Sequence, residues 1–313
     1  MVAKEVTFTM LVGISGSGKS TYANELMDKY KKKKAKAVLL SSDTIRKELY
    51  GDKSIQDNPS KVFQLMERRT LDMVRKGFHA IYDATNLSSR RRKHMVMQVK
   101  KLGCFTRCVI VVANRELCIE RQSLRERTVP TEVIDRQIRS FEIPTEMEGW
   151  DDIDFTLKDT KYYKTFVDYL EETRISHDCK FHSLSIYDHL DTCYYIAKSK
   201  LKTEEERDYI FFRAALLHDI GKPFTKSFID SKDILGTEAH YYGHECAGAW
   251  FILCSRPSFV TKEDCLMCAQ LVGLHMKMYL EVWYKKISDF YSERDPVFWM
   301  YLKLLHECDV EAH

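Results

Sequence analysis

Proline and glycine are scarce in this chain, with 6 and 12 among 313 residues. Together with 44% hydrophobic and 30% charged residues, this composition excludes collagen-like and disordered proteins. No apolar run approaches the roughly 18 residues that a membrane span needs. The first residues, MVAKEVTFTM, also lack a signal-peptide pattern. We therefore expect a globular, cytoplasmic protein with no membrane association, and its length suits two domains better than one.

The ten cysteines do not predict a disulfide scaffold, because thiols stay reduced in the cytosol. One close pair, Cys265 and Cys268, lies in an apolar segment with a helical pattern. No second pair of this kind is present to complete a zinc site. We expect these cysteines to be packed thiols.

The net charge of +3 conceals two unlike halves. Residues 1–150 contain 29 Lys and Arg against 18 Asp and Glu, a balance of +11. The remaining residues contain 20 against 28, a balance of −8, and nine of the eleven histidines. The run Lys31–Lys34 fits a solvated helix end, with phosphate binding as the alternative. We predict two domains, at residues 1–158 and 159–313.

The first half alternates apolar, β-rich runs with segments of helical pattern. The predicted strands are Val6–Ile14, Ala37–Ser42, His79–Asp83, Phe105–Ala113 and, more weakly, Ile153–Leu157. Helices are expected between them, as at Pro59–Lys76 and Ser88–Lys101. Such alternation predicts an α/β fold with a parallel sheet flanked by helices. Ligands of these sheets bind at the carboxyl ends of the strands.

The second half has a helical pattern from about residue 180 onward. The predicted helices are Ile186–Lys200, Glu204–His218, Gly243–Cys254, Thr261–His275 and Asp295–Val310. Residues 158–176 give no clear sheet signal. We therefore expect an all-α domain.

A glycine-rich segment after the first predicted strand matches the motif G-x-x-x-x-G-K-[ST]. It reads Gly13-Ile-Ser-Gly-Ser-Gly-Lys19-Ser20 and precedes a helical pattern, which is the context that the motif requires. Backbone amides of such a loop, with the helix N-terminus, bind phosphate. Lys19 would reach the β- and γ-phosphates and Ser20 would hold Mg²⁺. The motif predicts binding of ATP or another nucleoside triphosphate.

Two acidic residues follow neighbouring strands and are candidates for catalysis. Asp43 lies in Ser41-Ser-Asp-Thr-Ile-Arg46, where it could accept the proton of a hydroxyl nucleophile. Arg46 lies on the same helical face and could hold the acceptor's phosphate. Asp83 begins Asp83-Ala-Thr-Asn86, close to the expected metal region. Taken singly, each acid is more often a helix cap than a catalyst.

Two clusters of basic residues could contact anionic ligands. Arg90–Lys93 occupies a first helical turn, where cations oppose the helix dipole unless an anion offsets them, although a solvated surface is the alternative. Arg121, Arg125 and Arg127 precede Val129-Pro130. Arginines over the phosphates would stabilise charge during phosphoryl transfer, and surface charge is the alternative for them.

Four of these segments together resemble the polynucleotide 5′-kinase domain of the phage end-healing enzymes. They are GISGSGKST, SSDTIR, YDATNLSSRRR and RQSLRERTVP, and the resemblance covers about residues 5–155. It implies ATP with Mg²⁺ as cofactors and a 5′-hydroxyl end as acceptor. The expected nucleotide-binding residues are Gly13, Ser15, Gly16, Ser17, Gly18, Lys19, Ser20, Thr21 and Arg121.

The same resemblance implies roles for the candidate catalytic residues. Asp43 becomes the base for the 5′-hydroxyl, and Arg46 becomes the clamp on the acceptor phosphate. Asp83 matches the acid of the family's D-x-[ST]-N segment, and Arg125 matches an arginine of the lid. The family often carries an acylphosphatase-type phosphatase after the kinase, and this sequence has no such segment.

The histidines of the second half are spaced like metal ligands. His218-Asp219 ends a predicted helix, and it is accompanied by His189, His244 and His275 on other helical segments. Asp309 lies near the end of the last predicted helix. Alone, a His-Asp pair is usually structural, but several such residues in helices can converge in the core of a bundle, where metal sites form.

This spacing and its wording resemble the HD superfamily of metal-dependent phosphohydrolases. The similar segments are Ile186-Tyr-Asp-His189-Leu, Ala215-Leu-Leu-His-Asp-Ile-Gly-Lys-Pro223 and Tyr241-Tyr-Gly-His244-Glu. The resemblance implies one divalent metal ion held by His189, His218, Asp219 and Asp309. A second would be held by His244 and His275, with Asp219 bridging.

Several properties of this second site stay open at the level of sequence. Nitrogen and oxygen ligands suit Mn²⁺, Co²⁺, Ni²⁺, Fe or Zn²⁺. A metal pair could activate water against a phosphoester. Lys222, His182 and His240 are candidate contacts to a substrate phosphate.

Three functions are compatible with the two halves. The preferred hypothesis is an end-healing enzyme that phosphorylates a 5′-hydroxyl and hydrolyses phosphate at a 2′,3′ end, acting on RNA in preference to DNA and preparing ends for a ligase. It resembles the bifunctional kinase–HD proteins of bacterial and phage RNA repair. The alternatives are a small-molecule kinase fused to a nucleotidase, and a kinase with a non-catalytic HD scaffold.

Overall fold

The computed structural model describes residues 6–52, 55, 57–125, 128–179, 184–201 and 208–313. It divides the chain into two compact units. The first consists of Met1–Gln137 with Pro144–Lys161, and the second of Ile138–Ile143 with Tyr162–His313. These are units of packing, and the functional domains 1–158 and 159–313 stay a prediction.

The first unit is built on a five-stranded parallel sheet of order β2-β3-β1-β4-β5. The strands are β1 (Thr7–Val12), β2 (Ala37–Ser41), β3 (His79–Asp83), β4 (Phe105–Val112) and β5 (Asp152–Leu157). The predicted parallel α/β sheet with flanking helices is confirmed. The predicted strands differ from these only at their ends, since Gly13 and Ile14 belong to the loop after β1.

Helices alternate with the strands. They are α1 (Lys19–Lys32), α2 (Ser42–Tyr50), α3 (Pro59–Arg75), α4 (Ser89–Lys100), α5 (Arg115–Ser123) and α6 (Thr131–Arg139). The last two residues of α6 belong to the second unit. A short 3₁₀ helix at Glu146–Glu148 precedes β5.

The core of the first unit lies along the central strands. β1 and β4 are almost entirely buried, as expected for parallel strands covered on both faces. One core cluster joins Leu11, Ile81 and Val109 to Ala23 of α1. The packed sheet therefore fixes the ends of β1, β2 and β3, from which the phosphate loop and the two candidate acids extend.

One of the basic residues in the first turn of α4 is part of this core. Arg92 is fully buried, and its Nε and Nη2 donate to the Glu148 carboxylate at 2.8 and 2.5 Å. Its Nη1 donates to the carbonyls of Asn86 and Leu87. Trp150 Nε1 also donates to Glu148, at 2.9 Å. The anion that offsets this cation is therefore an internal carboxylate, while its neighbours in the turn are exposed.

The second unit is mainly helical. Its helices are α7 (Phe166–Glu172), α8 (Ile186–Lys200), α9 (Tyr209–Leu217), α10 (Lys222–Thr225), α11 (His244–Cys254), α12 (Lys262–Leu274), α13 (Glu281–Arg294) and α14 (Pro296–Glu311). The predicted helix Glu204–His218 is seen from Tyr209, and residues 202–207 lie outside the described residues.

A two-stranded antiparallel sheet interrupts the helices of the second unit. It pairs β6 (Ser227–Ile229) with β7 (Leu235–His240). The expectation of an all-α domain is therefore not met in full. The two strands are mostly exposed, so they lack the alternation of buried and exposed residues by which a strand is recognised in sequence.

The core of the second unit centres on α11, which is buried along almost its whole length and packs against α12. α8 packs against α9, and both contact α14. Cys265 and Cys268 of α12 are fully buried, and neither belongs to a potential metal-binding group of the described residues. Across the described ranges, no helix combines the length and the apolar character needed to cross a bilayer.

We expect Glu148→Gln to destabilise the first unit by about 3–5 kcal/mol, because it leaves the Arg92 guanidinium buried without its counter-charge. The urea dependence of hydrogen exchange in the β1 and β4 segments would measure this loss in the free energy of unfolding. The matched control is Asp72→Asn, which breaks an exposed pair with Arg75 and should cost less than about 1 kcal/mol. Equal effects of the two variants would contradict a structural role for the buried pair.

Candidate functional site

The phosphate loop lies between β1 and α1, in a backbone conformation that requires glycine at three positions. Gly13, Gly16 and Gly18 have φ of 154°, 87° and 102°, values that residues with a side chain rarely adopt. A Cβ at Gly13 would also lie 2.5 Å from the Val111 carbonyl oxygen, and one at Gly16 would lie 2.6 Å from that of Cys118. The loop therefore lies close against the backbone of β4 and of α5.

The charged groups of the loop are arranged around Lys19 and Asp83. Lys19 Nζ donates to the Ile14 carbonyl at 2.8 Å, across the loop, and Ser20 Oγ donates to Asp83 Oδ2 at 3.0 Å. Burial lowers the pKa of Lys19, which the charge of Asp83 opposes. Burial raises the pKa of Asp83, which Lys19 and Ser20 oppose. A hydroxyl and a carboxylate oxygen at this edge are ligands that suit Mg²⁺.

Contacts from distant residues support the loop from outside. The Ser15 amide donates to Gln137 Oε1 at 2.7 Å, and Arg121 Nη1 donates to the Gly16 carbonyl at 3.2 Å. Arg121 is itself paired with Asp159 at 2.9 Å. Arg121 was predicted from the sequence as a nucleotide-binding residue. Gln137 was not predicted, because nothing in the α6 segment indicates a contact with the loop. Ser17 is buried, and Thr21 is exposed on α1.

The candidate acceptor residues lie one strand away. Ser41 at the end of β2 pairs with Asp83 at the end of β3, so α2 begins beside the loop region. Asp43 is exposed there, and Arg46 is buried with its Nη1 3.1 Å from Asp43 Oδ1. Arg46 Nε is buried with no hydrogen-bond partner among the described residues. The buried Arg46 guanidinium therefore holds the Asp43 carboxylate in place at the surface.

Arg121 and Arg125, which were both expected near the phosphates, do not lie in the same helix. α5 ends at Ser123, so Arg125 lies beyond it and is exposed. Its charge adds to the burial that lowers the pKa of Lys19, which places it near the loop. Arg127 lies outside the described residues.

In the second unit, the six predicted metal ligands lie together in two groups. The residues of the first are His189, His218 and Asp309, and those of the second are Asp219, His244 and His275. All six side chains are buried. They come from α8, the end of α9, α11, the end of α12 and α14, so five helical segments meet at one point.

The first group is compact. His189 Nε2 lies 3.1 Å from both His218 Nε2 and Asp309 Oδ1, and His218 Nε2 lies 3.2 Å from the same oxygen. Asp219 Oδ2 lies 3.4 Å from His218 Nε2 and 3.6 Å from His189 Nε2. These four side chains correspond to the set expected for one metal ion.

The second group uses the other oxygen of the same carboxylate. Asp219 Oδ1 lies 3.1 Å from His244 Nε2 and 3.9 Å from His275 Nε2. The two imidazole nitrogens are 3.3 Å apart. Asp219 therefore faces both groups, one oxygen to each, which is the arrangement of a bridging ligand.

The outer nitrogens of the four histidines determine what the inner ones can do. Each Nδ1 lies 2.6–3.3 Å from a backbone carbonyl: that of Ala312 for His189, Ala215 for His218, Tyr241 for His244 and Val272 for His275. A carbonyl accepts, so Nδ1 carries the proton in a neutral ring and Nε2 presents a lone pair. Four lone pairs thus converge on two carboxylates, and a divalent cation is the ligand that satisfies them.

The local charges are consistent with this demand for a cation. Burial disfavours a proton on His218, but Asp219 and Asp309 outweigh it and raise the pKa of His218 well above its usual value. Burial, assisted by the charges of His244 and His218, lowers the pKa of His275 to about 3.

Residues around the two groups hold the carboxylates in place. Lys222 Nζ lies 2.6 Å from Asp219 Oδ2 and 3.2 Å from His177 Nε2, and Tyr279 donates to Asp309 Oδ2 at 2.8 Å. His313 Nε2 lies 3.7 Å from Asp309 Oδ1. Lys222 was predicted from the sequence as a substrate contact. His177, His313 and Tyr279 were not predicted, because they lie outside the segments that resemble the HD superfamily.

A cavity of about 620 Å³ in the second unit opens onto these two groups of potential metal ligands. Asp219, His244 and Asp309 contribute to its wall, together with Lys222 and His240. This volume falls within the usual range for small-molecule sites. The third candidate substrate contact, His182, lies outside the described residues.

A family model, a relative and a solved structure are similar to parts of this chain. Residues 8–144 match the family model described as an AAA domain. Over 158 residues, 49% of this chain, the sequence is 25% identical to the L-seryl-tRNA(Sec) kinase of Methanococcus maripaludis. The match spans about three-fifths, 59%, of that relative's length. The residues that the family model matches include the glycine-rich P-loop motif and the parallel strands β2, β3 and β4.

A solved structure, "Structure of Pnkp1/Rnl/Hen1 complex", is similar over 40% of this chain and 41% of its own. The sequence identity is 22% and the TM-score is 0.34.

We expect the purified protein to bind Mn²⁺ and His218→Ala and His244→Ala each to weaken binding, because each removes an inward lone pair. The loss of affinity should exceed the roughly 10–100-fold that removing a supporting outer contact costs. Titration calorimetry on metal-free protein gives the affinity. His94→Ala, an exposed histidine of the first unit, is the matched control and should leave binding unchanged. Unaltered Mn²⁺ affinity in both cluster variants would contradict the assigned ligands.

Proposed function

We propose that this chain is a nucleic-acid end-healing enzyme with two activities. Its first domain transfers the γ-phosphate of ATP to the 5′-hydroxyl of a polynucleotide, with RNA favoured over DNA. Its second domain hydrolyses phosphoesters at 2′,3′-phosphate ends through a metal-dependent HD site. The observation that carries the proposal is the coexistence, in one chain, of a phosphate loop beside two acids and of six buried potential metal ligands, three of which line a cavity.

In the kinase reaction, the loop amides and Lys19 would hold the phosphates of the nucleotide, and Ser20 and Asp83 would hold Mg²⁺. Asp43 accepts the proton of the attacking hydroxyl. Arg46, buried and 3.1 Å from Asp43, fixes that carboxylate and presents its remaining N–H groups to the acceptor phosphate. The positive balance of residues 1–150 supports an anionic, polymeric acceptor.

In the hydrolytic reaction, the six buried ligands would hold one or two divalent ions, which supply an activated water and charge stabilisation. Lys222 and Tyr279 keep the two carboxylates oriented by contacts of 2.6 and 2.8 Å. The second domain places these groups at a cavity wall, where a phosphoester can reach them. This accessibility supports catalysis over a purely structural scaffold.

The kinase activity is tested with γ-labelled ATP and an RNA that has a 5′-hydroxyl. We expect Asp43→Asn to reduce kcat by about 10²–10⁴-fold, the contribution of a general base. Asp28→Asn on α1, an exposed acid, is the control and should transfer phosphate at the normal rate. If the wild-type protein makes no acceptor-dependent product, the kinase half of the proposal fails.

The hydrolase activity is tested with RNA that ends in a 2′,3′-cyclic phosphate, and the products are mapped after incubation with Mn²⁺, Co²⁺ or Ni²⁺. We expect metal-dependent hydrolysis that Asp219→Ala abolishes, because both metal groups lose their shared carboxylate. Thermal unfolding of the same variant, followed by circular dichroism, reports whether the mainly helical second domain has folded. Retained hydrolysis in Asp219→Ala would overturn the assigned site.

A small-molecule kinase fused to a nucleotidase is the second candidate function, and the cavity of about 620 Å³ favours it. The two functions differ in the salt dependence of acceptor binding. If the protein contacts three phosphates of a single strand, its affinity for that strand should fall roughly twentyfold between 50 and 200 mM salt, because counterions are released. Nearly constant acceptor KM over this range would favour the small molecule.

A further inference from the structure

Two aromatic rings form a flat wall in the cavity of the second unit, at the end of β7. The rings of His240 and Tyr242 are stacked, with an angle of 6° between their planes and 5.4 Å between their centroids. Both line the cavity that contains Asp219, His244 and Asp309. Tyr242 is 56% exposed, so a ligand in the cavity can reach it.

The two rings lie on either side of the point where β7 ends. His240 is the last residue of β7, and Tyr242 lies in the turn that follows it. Tyr241, between them, also lines the cavity, and its hydroxyl donates to the His177 carbonyl. Gly243 then turns the chain at φ 79°, and α11 begins with the metal-group residue His244. The aromatic pair is thus joined to a candidate metal ligand by a single glycine.

The platform formed by His240 and Tyr242 is attached to the rest of the unit. The Ala239 amide donates to the Asp178 carbonyl at 2.8 Å, and Lys226 at the start of β6 donates to Ser176 and Asp178. Ser227 of β6 pairs with His240. These contacts hold the end of β7, which carries His240, against its neighbours.

We propose that His240 and Tyr242 form a stacking platform for the nucleobase of the phosphoester that the metal groups hydrolyse. This inference rests on the proposed hydrolase function and adds the recognition of a base to it. Every base has a π-face, so stacking tolerates all four bases and suits an enzyme that acts on ends of any sequence. His240 was predicted from the sequence as a candidate contact to a substrate phosphate. Its ring is parallel to that of Tyr242, and this geometry favours a contact with the base instead.

Two ligand sources share this chemistry, namely the terminal nucleoside of an RNA strand and a free mononucleotide. The experiment therefore uses three substrates: a short RNA with an adenosine 2′,3′-cyclic phosphate end, the same RNA with 1-deoxyribose in place of the terminal nucleoside, and adenosine 2′,3′-cyclic monophosphate. The first two differ only in the base. The third has the base without the strand.

We expect Tyr242→Ala to raise KM for the adenosine-ended RNA by roughly 5- to 140-fold, the equivalent of about 1–3 kcal/mol of stacking. KM for the base-free end should stay unchanged, and Tyr242→Phe, which keeps the ring, should restore the wild-type value. Leu235→Ala, at an exposed residue of the same hairpin that does not line the cavity, is the control. Equal KM values for Tyr242→Ala and wild type on the adenosine end would overturn the platform.

A binding measurement separates this inference from the proposed function. Quenching of 2-aminopurine fluorescence, on addition of protein to 2-aminopurine riboside 3′-monophosphate, reports stacking without any hydrolysis. Quenching that Tyr242→Ala removes supports the platform even if wild type hydrolyses nothing, in which case the hydrolase function alone fails. If wild-type protein causes no quenching, the platform is rejected whatever the enzyme hydrolyses. Comparison of the RNA with the mononucleotide then identifies the source of the base.

Discussion

Buried polar groups have to be paired, and this constraint governs the chemistry of both units. In the phosphate loop, glycine backbone with positive φ places Lys19 at the carboxyl end of a parallel strand, an arrangement that suits an anion. In the histidine cluster, lone pairs and carboxylates converge, an arrangement that suits a cation. Each preference arises from the local backbone.

The histidine cluster depends on contacts that fix ring tautomers, and these contacts are made by helix ends. His218 and His275 stand just beyond the last residues of α9 and α12, and each Nδ1 reaches a carbonyl three residues back. Carbonyls at a helix C-terminus have no partner within the helix, so a following imidazole satisfies one of them. The same hydrogen bond that caps the helix turns Nε2 inward. Capping and ligand orientation are therefore one interaction.

The sequence predicted those parts of the structure whose signals are local. The five strands and the loop follow from apolar runs and glycine spacing. The six clustered ligands follow from the resemblance of three short segments and of the overall spacing of histidines and aspartates to the HD superfamily. The hairpin of β6 and β7 was missed because Leu235 and its neighbours are exposed and give no alternation. Helix α13, Glu281–Arg294, was missed because only Ile287 and Tyr291 are buried along it, which leaves no apolar stripe.

Contacts between distant segments were out of reach for the same physical reason. Arg92 has exposed basic neighbours, and nothing in its segment indicates that it alone is paired with Glu148, 56 residues away. Gln137 supports Ser15 across 122 residues. These partners contribute single hydrogen-bonding groups, whose identity becomes meaningful only when the fold brings them together. Local chemistry thus predicts which ligand a site requires, while the long-range partners determine how rigidly the site is held.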